Sequence, residues 1–194
     1  MTSWSKPLLM PSLALGLFFI LTDTDKKTPF IKTLFAGLAF STAGDVLLQL
    51  EKSSHLTIYF YLGLGAFLLA QWMYVLTFRR IGPINISMNW SLIYIFYFIQ
   101  FLAILYPGMP LALKIPVTLY GMMLTVMAWN SWRCVQEFPL GFSAVIGAIL
   151  FVASDSLLAI NKFKTPIPYA GILIMATYIF AQYFIVVGVR SRLE

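Results

Sequence analysis

Charge is scarce in this chain. Of its 194 residues only 10% are charged, while 60% are hydrophobic, and the mean hydropathy is +0.86. A soluble domain is about half apolar and about a quarter charged. The composition therefore excludes an ordinary soluble fold and points to an integral membrane protein built as one bundle. There is one cysteine, Cys134, so no internal disulfide can form; it follows Trp132-Arg133 at a helix end and reads as an unpaired thiol at the interface. The single histidine, His55, falls between two hydrophobic segments and reads as a solvated loop residue. One His and one Cys fall short of the roughly three His-rich protein ligands of a zinc hydrolase, so no metal site is expected. Gly-x-Ser-x-Gly is absent, which argues against a nucleophile-elbow serine hydrolase, and so is a phosphate-cradling glycine loop. No secretory signal with a small-residue cleavage site is visible. No strand alternation is long enough for a barrel. The net charge of +6 does not point to nucleic acid, because the largest basic clusters are only Lys26-Lys27 and Arg79-Arg80. In a polytopic protein such clusters mark cytoplasmic loops.

What the chain does have is apolar length. A crossing helix needs about 20 mostly apolar residues. Seven candidates meet or approach that: 7–21, 31–50, 57–78, 85–106, 111–129, 139–160 and 166–189. The predicted fold is all-α, a polytopic bundle of seven helices. Turns fall at Asp23–Pro29, Gly82-Pro83 and Pro107–Pro110, and Pro139 and Pro166 open the last two helices. Lys26, Lys27, Lys32, Arg79, Arg80, Arg133, Arg190 and Arg192 collect on one side of the membrane, and Lys6, Lys52, Lys114, Lys162 and Lys164 on the other. The richer side is placed in the cytoplasm, with the C-terminus there and the N-terminus outside.

Two of the apolar stretches carry an aspartate, Gly37…Gly44-Asp45-Val-Leu-Leu48 and Gly147…Ser154-Asp155-Ser-Leu-Leu158. An ionised carboxylate in hydrocarbon costs roughly 2.5–3.5 kcal/mol on insertion scales, and intramembrane acids mark sites or ion paths. The likeness continues downstream, to Ala70-Gln71-Trp72 after the first Asp and Ala181-Gln182-Tyr183 after the second. Upstream, Lys6-Pro7 has a looser echo in Lys114-Ile-Pro116. Helices one to three thus repeat as five to seven, in halves of about 6–80 and 111–190 joined by a connector helix at 85–106, all within a single transmembrane domain. A lag of four crossings makes the copies parallel. Asp45 and Asp155 are then expected about five residues from the outer ends of their helices, roughly 8 Å in, with Lys6 and Lys114 entering the same layer and Gln71 and Gln182 about 12–15 Å deeper.

Each of these residues has a plainer reading. The aspartates are structural if lysines neutralise them or Ser41 and Ser154 bind them. The lysines snorkel to headgroups, the glutamines bond between helices, and Tyr74, Tyr120 and Tyr178 belong to the bundle core. A small transporter or proton-coupled carrier, or a lipid-binding protein without turnover, also suits paired intramembrane Asp and Lys.

Lys6-Pro-Leu-Leu-Met-Pro11, Gly37…Gly44-Asp45, Gly63…Tyr74, Gly147…Ser154-Asp155-Ser-Leu-Leu-Ala159 and Tyr178…Ala181-Gln182 resemble the YhhN-like family of membrane proteins, which includes the lysoplasmalogenases. The resemblance covers nearly the whole chain. It implies eight helices, the first of them ahead of the Lys-Pro segment and not in this sequence; it also implies a His where this chain has Gln71. The activity it implies is hydrolysis of the vinyl ether bond of a lysoplasmalogen, with a membrane lysophospholipid as substrate and no cofactor. The expected catalytic residues are Asp45 and Asp155. Lys6, Lys114, Ser41, Ser154, Gln71, Tyr74, Tyr120, Tyr178 and Gln182 are expected to bind substrate. One carboxyl would give a proton to carbon while the other, ionised, stabilises the oxocarbenium ion and activates water.

Overall fold

A computed structural model describes the backbone of residues 6–83, 88–135 and 140–193, and the side chains of 8–83, 91–135 and 140–193. The described residues are helical almost throughout, as the composition requires: in hydrocarbon a helix satisfies every backbone polar group within its own segment. The helices are α1 (Lys6–Ile20), α2 (Asp23–Lys27), α3 (Pro29–Ser54), α4 (Thr57–Ile81), α5 (Met88–Leu105), α6 (Leu111–Asn130), α7 (Phe142–Phe163) and α8 (Ala170–Arg190). Six helical stretches are long and apolar enough to span a membrane, and Leu8–Ile20 is a shorter apolar helix. The protein is an integral, multi-pass helical membrane protein.

Six of the seven expected spans coincide with these stretches, with differences at their ends, and the first coincides with the shorter α1. The turn expected at Asp23–Pro29 contains α2, a single helical turn set by a capping box between Thr22 and Asp25. Pro166 does not open the last helix, which begins at Ala170. Instead the Asn161 side chain accepts from the Ile167 amide (2.8 Å) and holds the connecting loop. Pro139 lies outside the described residues, and α7 starts at Phe142. Cys134 is unpaired and fully buried, in a turn that Gly141 closes by packing on its carbonyl. His55 is exposed, as a loop residue should be, and caps α3 in the left-handed region at φ 56°.

The contacts divide the chain into two units, Met1–Ile81 and Gly82–Arg192. In the first, α3 and α4 form the main pair and α1 packs on α3. Small residues set the crossing, because close backbone approach drives helix association in lipid. Gly37 lies under the Tyr74 ring, Gly44 under Phe67 (a Cβ there would sit 2.6 Å from the ring), and Gly63 against Leu48. At the far end the Thr77 hydroxyl donates to Thr33 Oγ1 (2.9 Å) and Arg80 Nη1 donates to the Pro29 carbonyl (3.0 Å).

In the second unit, α7 and α8 are the main pair. Gly147 approaches the Ala181 carbonyl and Ile185, and Gly188 packs on Ala144. The Phe151 and Tyr178 rings meet edge to face at 5.6 Å. α5 presents Leu92, Ile93, Phe96 and Ile99 outward and turns Tyr94 and Phe98 inward, while Tyr97 stays exposed and reaches Ser156 of α7 through its hydroxyl. The Trp132 indole donates to Tyr94 OH (2.8 Å).

Candidate active site

The helices run further out than hydropathy alone predicts, and this resets the depth of the aspartates. Asp45 stands nine residues before the end of α3 at Ser54, and Asp155 eight before the end of α7 at Phe163. Each is therefore about 12–14 Å from its helix end, not about 8 Å. The glutamines are correspondingly closer in level. The register fixed by Gly37 with Tyr74 and Gly44 with Phe67 places Gln71 roughly 8 Å from Asp45 along the helix axis, not 12–15 Å.

In the first unit, Ser41, Gln71 and Tyr74 gather at the α3–α4 seam, all of them fully buried. Ser41 Oγ and Tyr74 OH share a hydrogen bond at 3.3 Å. Asp45 is one turn further along α3 and partly exposed. Neither Gln71 Nε2 nor Gln71 Oε1 has a hydrogen-bond partner among the described residues, although the side chain is entirely buried. A buried polar atom left in that state is rare and requires an explanation. Lys6 heads α1, but its side chain lies outside the described residues.

In the second unit, the Tyr120 hydroxyl donates to Asp155 Oδ2 at 2.5 Å. This fixes one of the two carboxyl oxygens. Sequence reasoning missed two neighbours, Tyr97 and Ser156. Their hydroxyls are hydrogen-bonded. Because Ser156 Oγ donates to the Val152 carbonyl (2.5 Å), the Tyr97 hydroxyl is the donor to Ser156. Three helices, α5, α6 and α7, thus bring hydroxyls to Asp155 or its neighbour. A signal was present: Tyr94, Tyr97, Phe98 and Phe101 recur at one-turn spacing in an otherwise aliphatic and aromatic helix.

Other expected partners went elsewhere. Ser154 donates to the Ile174 carbonyl (3.0 Å), tying α7 to α8, and not to Asp155. Lys114 does not neutralise Asp155; its Nζ stands 4.6 Å from the centre of the Tyr106 ring. Tyr178 is buried against Phe151, and Gln182 is fully buried in α8. Among the described residues, then, Asp155 is held by a phenol and not by an ammonium. A carboxyl positioned in this way, in apolar surroundings, is equipped to move a proton or to face a developing cation.

The sequence pattern of the YhhN family matches residues 1–189. The lysoplasmalogenase TMEM86A of Bos taurus is 31% identical over 186 residues, covering 93% of this chain and 72% of that protein. The human lysoplasmalogenase TMEM86A is 30% identical, with the same coverage of 93% and 72%. The lysoplasmalogenase TMEM86B of Sus scrofa is 28% identical over 189 residues, covering 97% of this chain and 77% of that protein. No solved structure matches the chain.

Proposed function

The chain belongs to the YhhN family, and from that premise we propose that it is a lysoplasmalogenase, a membrane hydrolase of the vinyl ether bond of 1-alkenyl-glycerophospholipids. The observation that carries the reading is its likeness, at about 30% identity over most of its length, to proteins named for that activity. The products are a fatty aldehyde and a glycerophospho-base.

Asp45 and Asp155 do the chemistry. One carboxyl delivers a proton to the vinyl carbon, giving an oxocarbenium ion. The other, ionised, stabilises that cation and takes a proton from the attacking water. The hemiacetal then collapses, and the protons return the two acids to their starting state. Tyr120 supports this reading for Asp155 by fixing Oδ2. Tyr97 and Ser156 extend the same polar patch. Ser41, Gln71 and Tyr74 offer polar contacts beside Asp45, with Ser154, Tyr178 and Gln182 as their counterparts. Lys6 and Lys114 meet the substrate phosphate at the membrane face. The chemistry requires no metal or organic cofactor.

The chain is one transmembrane domain with halves of about 6–80 and 111–190 and a connector at 85–106. Matched contacts support the repeat: Gly37 packs on Tyr74 of the following helix, as Gly147 packs on Ile185 of the following helix, and Tyr74 and Ile185 each stand three residues past a buried glutamine. The C-terminus is cytoplasmic, and the membrane is a bacterial inner membrane, in keeping with the compact loops.

The test is aldehyde release by purified protein in detergent, given a lysoplasmalogen and its saturated alkyl-ether analogue. Aldehyde is expected from the vinyl ether alone. Asp45→Asn and Asp155→Asn should each lose about 10²–10⁴ in turnover, the range for a general acid or base. Near-wild-type turnover in both would overturn the mechanism, and unchanged solute transport into vesicles without aldehyde would favour a carrier.

A further inference from the structure

We infer that Gln71 holds the water molecule that adds to the oxocarbenium carbon. The inference rests on the vinyl ether hydrolysis proposed above. Its starting point is the amide in α4 that no described protein group bonds, at either its nitrogen or its oxygen, in a side chain with no exposed surface. An amide presents two N–H donors and a carbonyl acceptor. Whatever sits against it must therefore both accept and donate.

That requirement selects among the molecules this protein meets. A lipid tail does neither. A headgroup phosphate accepts, so it would satisfy Nε2 and leave Oε1 without a donor; the free glycerol hydroxyl of a lysolipid could do both, but its loss as a partner would be read in KM and not in kcat. Water does both, and buried water typically makes about three hydrogen bonds to groups of this kind. Water is also the second reactant of the hydrolysis. The amide is level with the Ser41–Tyr74 hydroxyl pair and roughly 8 Å from Asp45 along the helix axis, a gap that a glutamine side chain and one water reach across. Leu38, Phe67 and Ala70, all buried, line the same seam and keep bulk solvent away. In such a place the nucleophile has to be held, because it cannot be drawn from the medium at the moment of reaction.

The step balances without any other reactant. The water oxygen bonds to the cationic carbon, one of its protons passes to the ionised aspartate, and the other stays on the hemiacetal hydroxyl. Gln71 gives up no proton. It orients the lone pair and so acts as a positioning residue for the nucleophile.

The experiment compares wild type with Gln71→Met, which keeps the length and removes both polar atoms, and Gln71→His, which restores a donor and an acceptor. Steady-state kinetics on lysoplasmalogen micelles are measured beside thermal unfolding in the same detergent. The expected result is a fall in kcat of about tenfold or more for Gln71→Met, with KM within about twofold and no loss of unfolding temperature, since an interaction made only in the transition state lowers kcat alone. Gln71→His should recover part of the loss. A raised KM with kcat unchanged would mean that Gln71 binds the lipid, and unchanged kinetics would mean that it binds nothing needed; either result overturns the inference while leaving the hydrolase intact. If Gln71→Met does not fold, Gln71→His and Gln71→Leu are judged by the same kcat and KM criteria. Wild-type protein that releases no aldehyde would remove the parent reading, and this inference with it.

Discussion

Tyr120 is one phenol away from being an unremarkable core residue. Its hydroxyl donates to Oδ2 of Asp155, the carboxyl proposed above to do the chemistry. A hydrogen bond to a charged group is worth roughly 1.5–3 kcal/mol. Tyr120→Phe is therefore expected to lower kcat about 10- to 100-fold with KM nearly unchanged, as measured by initial rates of aldehyde release. Tyr97→Phe acts one step removed, through Ser156, and should cost a factor of about 2–10, the range of a neutral hydrogen bond. Equal, small effects from both would show that the phenols only pack. The aspartates themselves were legible in the sequence because a carboxylate within an apolar run stands out against its surroundings. Tyr97 was legible only as one of an aromatic row at one-turn spacing, and the partner of its hydroxyl was not, since that depends on how α5 packs on α7. Nor was the exchange of partners by Lys114, which a count of charges would pair with Asp155 but which stands over Tyr106 instead.

At the scale of the helix, glycines separate what holds the pairs together from what merely lies along them. A Cβ at position 147 would sit 2.6 Å from the Ala181 carbonyl and from the Ile185 amide nitrogen, and backbone does not swing aside. Gly147→Ala should therefore destabilise by about 1–3 kcal/mol, the usual cost of overpacking. Gly65 meets nothing within 4 Å. Gly65→Ala should stabilise by roughly 0.5–1 kcal/mol through helix propensity alone. Gly44→Ala belongs between them, because the obstacle is the Phe67 ring and a ring can turn. Thermal unfolding in detergent orders the three; if Gly147→Ala proved as stable as Gly65→Ala, the α7–α8 crossing drawn from Gly147 would be wrong. Hydropathy located six helices of membrane-spanning length, since that length is written directly in apolar run length, and the seventh expected span is the shorter α1. It stopped short at their outer ends: α3 continues through Glu51-Lys52-Ser53-Ser54, and α7 through Asn161-Lys162-Phe163. Polar residues can be solvated by headgroups without ending a helix, and this is why the aspartates lie further from their helix ends than the sequence suggested.

For the whole molecule, the open physical question is which side of the membrane each loop occupies. On the orientation proposed from the eight-to-five bias of Lys and Arg, Thr24 and the Arg79-Arg80 end are expected in the cytoplasm, and Ser54 and Thr165 outside. The assignment does not depend on whether the short α1 spans, because the loops from α3 onward alternate by themselves. The chain suits a direct test: Cys134, its one cysteine, is fully buried and should react slowly with thiol reagents. Ser54→Cys, Thr165→Cys and Thr24→Cys each add one exposed thiol without changing the charge. A membrane-impermeant maleimide applied to intact cells should label the Ser54 and Thr165 variants. It should reach the Thr24 variant only after permeabilisation. The reverse pattern would invert the molecule and put the C-terminus outside; labelling of all three in intact cells would mean that the positive residues do not set the orientation at all.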